Sequence, residues 1–180
     1  AVRAMAGAAA EGLGAGTECG VQGMVTLKGE LSTMARAVKA VTGQAMPERR
    51  GIVTGEMSVA WMAPDEVLIL CDYVEADQVV ADLTAKLSKV HPLAVNVSDA
   101  RAVFELRGAA VKDVLGKLTP ADLAALAPGE MRRTRLAQVA GAVWLPDGQS
   151  ARVICFRSVA QYMFDLLRTA AAPGGDVGYH

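Results

Sequence analysis

Aromatic side chains are scarce in this chain: three phenylalanines, three tyrosines and two tryptophans among 180 residues. A surface that stacks successive bases needs several rings in line, so a nucleic-acid reader of that kind is not expected. Unbalanced charge is lacking too. Lys and Arg number 18 and Asp and Glu 19, a formal net charge of −1, so no global field draws the molecule to nucleic acid or to an anionic membrane. Histidine occurs only at His91 and His180, and cysteine only at Cys19, Cys71 and Cys155. These are too few and too far apart for a disulfide framework or for zinc-ligand pairs. No apolar run reaches the roughly 18 residues that a membrane-spanning helix needs. The start of the chain has no basic segment leading into an apolar one, which makes the cytoplasm the expected location.

Nucleotide loops are missing as well. Glycines crowd at 12, 14, 16 and 20, but the third position of the dinucleotide fingerprint falls on Thr17 or Cys19. Gly116-Lys117 is followed by Leu118 where a phosphate loop needs Ser or Thr. Asn96-Val97-Ser98 matches a glycosylation sequon, with nothing else in favour of secretion.

What the chain does have is apolar aliphatic material, 52% hydrophobic residues against 21% charged. At this length roughly 70% of the unfolded surface can be buried without a disulfide or metal. The stretch Arg101–Gly129 gives the organisation most clearly. Phe104 and Leu106 alternate with Val103, Glu105 and Arg107 as in a half-buried strand, Gly108 ends it, and Ala110, Val114, Leu115 and Leu118 recur at helical spacing. Thr119, Pro120 and Asp122 predict a second short helix before the Pro128-Gly129 turn. Before this stretch come an Ala- and Gly-rich arm, a strand at 24–28, a helix that Ser32 caps and Gly43 ends, and a loop at 44–55. A hairpin of strands 57–62 and 67–71, a helix at 75–89 and a strand at 93–97 follow. After it come strands 132–139 and 141–145 parted at Ala140-Gly141, a strand at 152–156, and a helix that Ser158 and Gln161 open as a capping box. The order predicts an α+β fold of two split-βαβ, ferredoxin-like halves with mainly antiparallel sheets. In residues, 1–20 form a flexible arm, 21–171 a single domain with halves 21–98 and 99–171, and 172–180 a tail.

Few residues offer chemistry. His91, before Pro92, reads as a solvated helix end, Cys155 beside Arg157 as a buried structural thiol, and Asp113 and Asp122 as solvated helix carboxylates. The sharpest polar feature is Arg132, Arg133 and Arg135 on one strand, with Arg107, Arg152 and Arg157 on or beside others. Arginine suits interface anchors and carboxylate pairs, and equally the charged face of an edge strand.

The run Leu106–Leu115 (LRGAAVKDVL), followed by Asp122-Leu123, Pro128-Gly129 and MRRTRLAQVA from Met131, resembles the gamma subunit of heterotetrameric sarcosine oxidase. More distantly it is similar to the folate-dependent aminomethyltransferases. Trp61-Met62-Ala63-Pro64-Asp65-Glu66-Val67-Leu68 resembles the family's PDEWL segment, and Arg157–Met163 its RS-aromatic-A-x-Y signature. The resemblance covers about Val25 to Ala170. It implies an accessory, non-catalytic subunit without its own cofactor, in a complex that demethylates sarcosine to glycine and passes the one-carbon unit to tetrahydrofolate. Flavins, NAD, tetrahydrofolate and zinc are then expected in the alpha, beta and delta subunits. Trp61, Trp144, Arg132, Arg133 and Arg135 are the candidate partner contacts. The competing expectations are a stand-alone tetrahydrofolate-binding, aminomethyltransferase-like domain, with Asp65 and Glu66 near Trp61 as its acidic groups, and an assembly factor on the same fold.

Overall fold

The computed structural model describes residues 9–10 and 15–173. Two compact units are present: Val21–Ser98, and the described residues up to Gly20 together with those from Asp99 onward. All strand pairings among the described residues are antiparallel.

In the Val21–Ser98 unit, β3 (Gly23–Lys28) leads into α1 (Leu31–Thr42). Then come β4 (Ile52–Val53), the hairpin β5 (Ser58–Ala63) and β6 (Glu66–Cys71), α2 (Ala76–Lys86) and β7 (Leu93–Asn96), in sheet order β4-β5-β6-β3-β7. Met34 and Val38 of α1 and Val79 and Leu83 of α2 pack with Val25, Leu27, Val67 and Ile69 of the sheet. Removing a side chain such as Leu83 from water contributes about 2–3 kcal/mol. The unbroken apolar run of β6 is explained by burial on both faces, since Leu68 and Leu70 are buried as well as Val67 and Ile69. Gly43 stops α1 in the left-handed region (φ 73°), its N–H donating to the Lys39 carbonyl at 3.0 Å.

The other unit has β1 (Ala9–Ala10), β2 (Ala15–Glu18), β8 (Arg101–Arg107), α3 (Val111–Gly116), β9 (Met131–Leu136), β10 (Val139–Trp144), β11 (Ser150–Phe156) and α4 (Ala160–Ala170), in sheet order β1-β2-β8-β11-β10-β9. Val111, Val114 and Leu115 of α3 and Met163 and Leu167 of α4 cover Phe104, Leu106, Val143 and Val153.

The two sheets follow one plan. Val25 faces Ile69 as Phe104 faces Val153, and Gly23 faces Cys71 as Ala102 faces Cys155. Gly29 and Gly108 end the first strands at φ 154° and 143°, donating to the carbonyls of Asp65 and Gln149 at 2.8 and 2.9 Å. Leu27-Lys28-Gly29 thus corresponds to Leu106-Arg107-Gly108, a similarity hidden in the sequence by its shortness. The units differ at one edge. Beside β3 lies β7, which follows α2 in the chain, whereas the same place beside β8 is taken by β2, which precedes Val21–Ser98 in the chain and carries β1 outside it.

Several expectations need correction. Part of the expected arm is strand: Ala15–Glu18 pairs with Phe104–Arg107, and Glu18 is buried, while residues 1–8 and 11–14 lie outside the described residues. Backbone pairing with β8 supplies hydrogen bonds that the composition of this stretch does not advertise. Residues 119–127 form turns instead of a helix. Thr119 Oγ1 accepts from Ala121 N–H at 3.3 Å and Asp122 Oδ1 from Ala125 N–H at 3.1 Å, so the cap chemistry closes local turns with no helix behind them. The hairpin bend lies at Ala137-Gln138, three residues before the expected one, with Ala137 at φ 49°. The loop at 44–55 contains β4. Ser32 bonds to Glu30 instead of capping α1, and Ser158 lies in a 3₁₀ turn before α4.

Candidate contact surface

The arginine strand is β9, the outer strand of its sheet, and its alternation divides the three residues. Arg132 and Thr134 share the helix-side face with Leu136, a member of the core; Arg133 and Arg135 share the other face with Met131. Arg132 is held inward: its Nη2 meets Glu130 Oε2 at 3.3 Å, and its Nη1 is buried with no hydrogen-bond partner among the described residues. The Thr134 and Thr119 hydroxyls are 2.9 Å apart, tying β9 to the turns after α3. Arg133 and Arg135 are exposed.

The two tryptophans lie in different units. Trp144 pairs with Met131 of β9 but is only 2% exposed, so it belongs to the core and offers no contact anchor. Adjacent positions on a strand face opposite ways; Trp144, between core residues Val143 and Leu145, lies on the sheet's other face, at a position that is itself closed to solvent. Trp61 is half-buried on β5 of the other unit, its N–H donating to the Gly51 carbonyl at 2.9 Å. Asp65 near it pairs with Lys28 at 3.5 Å.

The titratable groups are set up for structure. Burial pushes the Cys155 thiol up to about 12, against the opposing pull of Arg157. Burial, then the charges of Glu75 and Asp72, pushes Cys71 up to about 11. Both are therefore protonated at neutral pH and poor nucleophiles. Asp147 is held below the usual carboxylate range, first by the Gln149 N–H. Glu105 joins Arg152 at 3.1 Å and also Arg107. His91 ends the segment after α2, exposed, at φ 47°, its N–H donating to the Leu87 carbonyl at 3.2 Å. His180 lies outside the described residues. Among the described residues, no three or more His, Cys, Asp or Glu side chains converge to hold a metal ion, and no helix is long and apolar enough to cross a membrane.

One residue escaped the sequence reading. Phe156 looks like the end of an apolar strand but is 54% exposed. Its signal was the alternation itself: with Cys155 inward, Phe156 must face the other way, at a strand end opposite Arg101.

Comparison with known proteins decides the family. The model of the sarcosine oxidase, gamma subunit family matches residues 29–173. The chain belongs to that family. A sarcosine oxidase subunit gamma from Arthrobacter sp is 31% identical over 146 residues, 76% of this chain and 71% of that one. Its counterpart from Corynebacterium sp. (strain P-1) is 33% identical over 139 residues, 74% of this chain and 65% of its own length. Among solved structures, a chain of the heterotetrameric sarcosine oxidase from Corynebacterium sp. U-96 superposes with a TM-score of 0.80 at 28% identity, covering 94% of this chain and 90% of that chain. The glycine cleavage system aminomethyltransferase T from Bartonella henselae gives a TM-score of 0.58 at 15% identity over 81% of this chain and 43% of that one, a likeness of fold alone. The gamma-subunit family thus shares its two-sheet plan with the aminomethyltransferase fold.

Proposed function

We propose that this chain is the accessory gamma subunit of a heterotetrameric sarcosine oxidase, working in the cytoplasm with alpha, beta and delta partners. In this reading the complex demethylates sarcosine oxidatively to glycine and passes the one-carbon unit to tetrahydrofolate. The observation that carries it is the match to a chain of a heterotetrameric sarcosine oxidase over 94% of this chain and 90% of the other. The protonated, buried thiols at Cys71 and Cys155 support a structural part for this polypeptide. Flavins, NAD, tetrahydrofolate and zinc belong to the partners, and this chain contributes to assembly. The stand-alone folate-binding reading is weaker, since its support is a likeness to 43% of an aminomethyltransferase at 15% identity.

The test is coexpression of the tagged chain with the other three subunits, followed by size-exclusion chromatography. Co-elution in a complex that oxidises sarcosine is the expected result, and assembly of an active complex that leaves this chain behind would overturn the reading. Calorimetry with tetrahydrofolate on the chain alone should give no heat of binding; micromolar affinity would favour the rival.

A further inference from the structure

One edge of the Val21–Ser98 sheet is left open. β7 pairs with β3 on one side and, among the described residues, with no strand on the other. Register fixes which of its backbone groups are free. Val97 donates its N–H to the Met24 carbonyl at 2.8 Å, and bonded positions alternate along an antiparallel pair, so Leu93 and Val95 also direct their backbone groups to β3. Ala94 and Asn96 then present their N–H and C=O groups outward. A row of side chains also stops short at this strand. Ile52, Ala60, Leu68, Thr26 and Val95 stand opposite one another across the sheet. The first three are buried, whereas Val95 is 39% exposed and Leu93, on the same face, 56%.

Two further observations say what belongs there. In the other sheet the corresponding place, beside β8, holds β2, and β2 carries β1 antiparallel on its outer side. The same plan therefore puts a strand in one unit where β7 of the other has none. The second observation is charge. Exposed edges are commonly guarded by charged side chains, as β9 is by Arg133 and Arg135, yet Leu93-Ala94-Val95-Asn96 carries none. The charges stand just before it. Lys86 and Lys89 are exposed, and among the described residues neither side chain has an ion pair. Lys28, opposite Leu93, is by contrast already matched by Asp65 at 3.5 Å.

We propose that β7 takes up an extended segment of another polypeptide as an added antiparallel strand. The segment supplies backbone partners to Ala94 and Asn96, apolar side chains beside Leu93 and Val95, and Asp or Glu where it passes Lys86 and Lys89. Assigning it to another sarcosine oxidase subunit rests on the functional reading above. A second copy of β7 fits less well. It could match the backbone groups, but Leu93–Asn96 has no acidic residue, and Asp77 beside it already accepts from Asn96 Nδ2 at 2.7 Å.

The experiment uses the complete chain, tagged, both alone and coexpressed with the other subunits. Hydrogen exchange at the Ala94 and Asn96 amides should be fast in the chain alone and slower by about tenfold or more in the complex. Ala94→Pro removes only an outward N–H, because that group bonds nothing in β3, and should weaken association by about tenfold or more. Lys89→Glu should weaken association too and reduce its dependence on salt. Tyr162→Ala, which removes an exposed ring of α4 in the other unit, should associate like the unmodified chain. Circular dichroism melts confirm folding, and if Ala94→Pro unfolds, the exchange rates and Lys89→Glu decide. Equal exchange in the chain alone and in the complex, or unchanged association in both variants, overturns the added strand and leaves the functional reading standing. Failure of the unmodified chain to associate overturns that reading and this assignment with it. A dimer of the chain alone, with both amides protected and with dissociation on Ala94→Pro, would give the edge to a second copy and overturn the proposal.

Discussion

Cys71 and Cys155 occupy equivalent places, each near the end of the strand that precedes the second helix of its unit, and each is buried. Their thiols, pushed up to about 11 and about 12 from an ordinary value of 9.0, link stability to alkaline pH. The unfolded chain gives up these protons near pH 9 and the folded chain keeps them, so their contribution is whole below that point and falls as pH rises towards 11 and 12. Urea titrations at pH 8 to about 11 should show a declining unfolding free energy, with a shallower decline in Cys71→Ala/Cys155→Ala. A second residue prediction concerns Gly141, where an added Cβ would lie 2.7 Å from the Ile154 carbonyl oxygen and 3.0 Å from Leu136 Cδ1. Gly141→Ala should cost about 1–3 kcal/mol in the same titration. Gly148→Ala, with nothing near the new methyl, is the control. Which way a side chain faces along one strand was legible in the sequence, because the alternation is local: Phe104 and Leu106 turned inward together, and so did Cys155. Trp144 was not, because its burial is a property of the assembled sheet.

At the scale of elements, α1 and α4 show how much a periodic stripe specifies. Met34 with Val38, and Met163 with Leu167, placed both helices. The helix expected after Thr119 failed because cap residues alone do not provide an apolar face to dock. The bend at Ala137-Gln138 was hidden for another reason: alanine at φ 49° is no turn residue, and pairing of β9 with β10 imposes it. The strand least legible in the chain is β2, four residues of Ala, Gly, Thr and Glu. Its place beside β8 is nevertheless structural, for without it Arg101–Arg107 becomes an unprotected edge. Deleting residues 1–20 should speed hydrogen exchange at the β8 amides by tenfold or more, about 1.4 kcal/mol of local protection, while amides of β5 and β6 change little. Equal loss in both units would refute this division of labour.

For the whole molecule, the family and the two-sheet plan rest on different evidence that agrees. Short motifs in order along the chain named the family, and the fold they implied is the one observed, with the gamma-subunit match extending over residues 29–173. Exposure on the second sheet was only half legible. Arg133 and Arg135 were named from the sequence and are exposed, whereas the exposure of Phe156, opposite Arg101, needed the structure.

The placement of β2 also has a consequence for synthesis. The stretch Val21–Ser98 interrupts the chain between a strand and its neighbour, so Ala15–Glu18 leaves the ribosome long before Arg101–Arg107 exists to receive it. At roughly 5–20 residues per second the wait is on the order of ten seconds. During that interval the newborn β2 segment is an open invitation to chaperones, and the unit completed after Ser98 cannot close until this earlier segment returns to it.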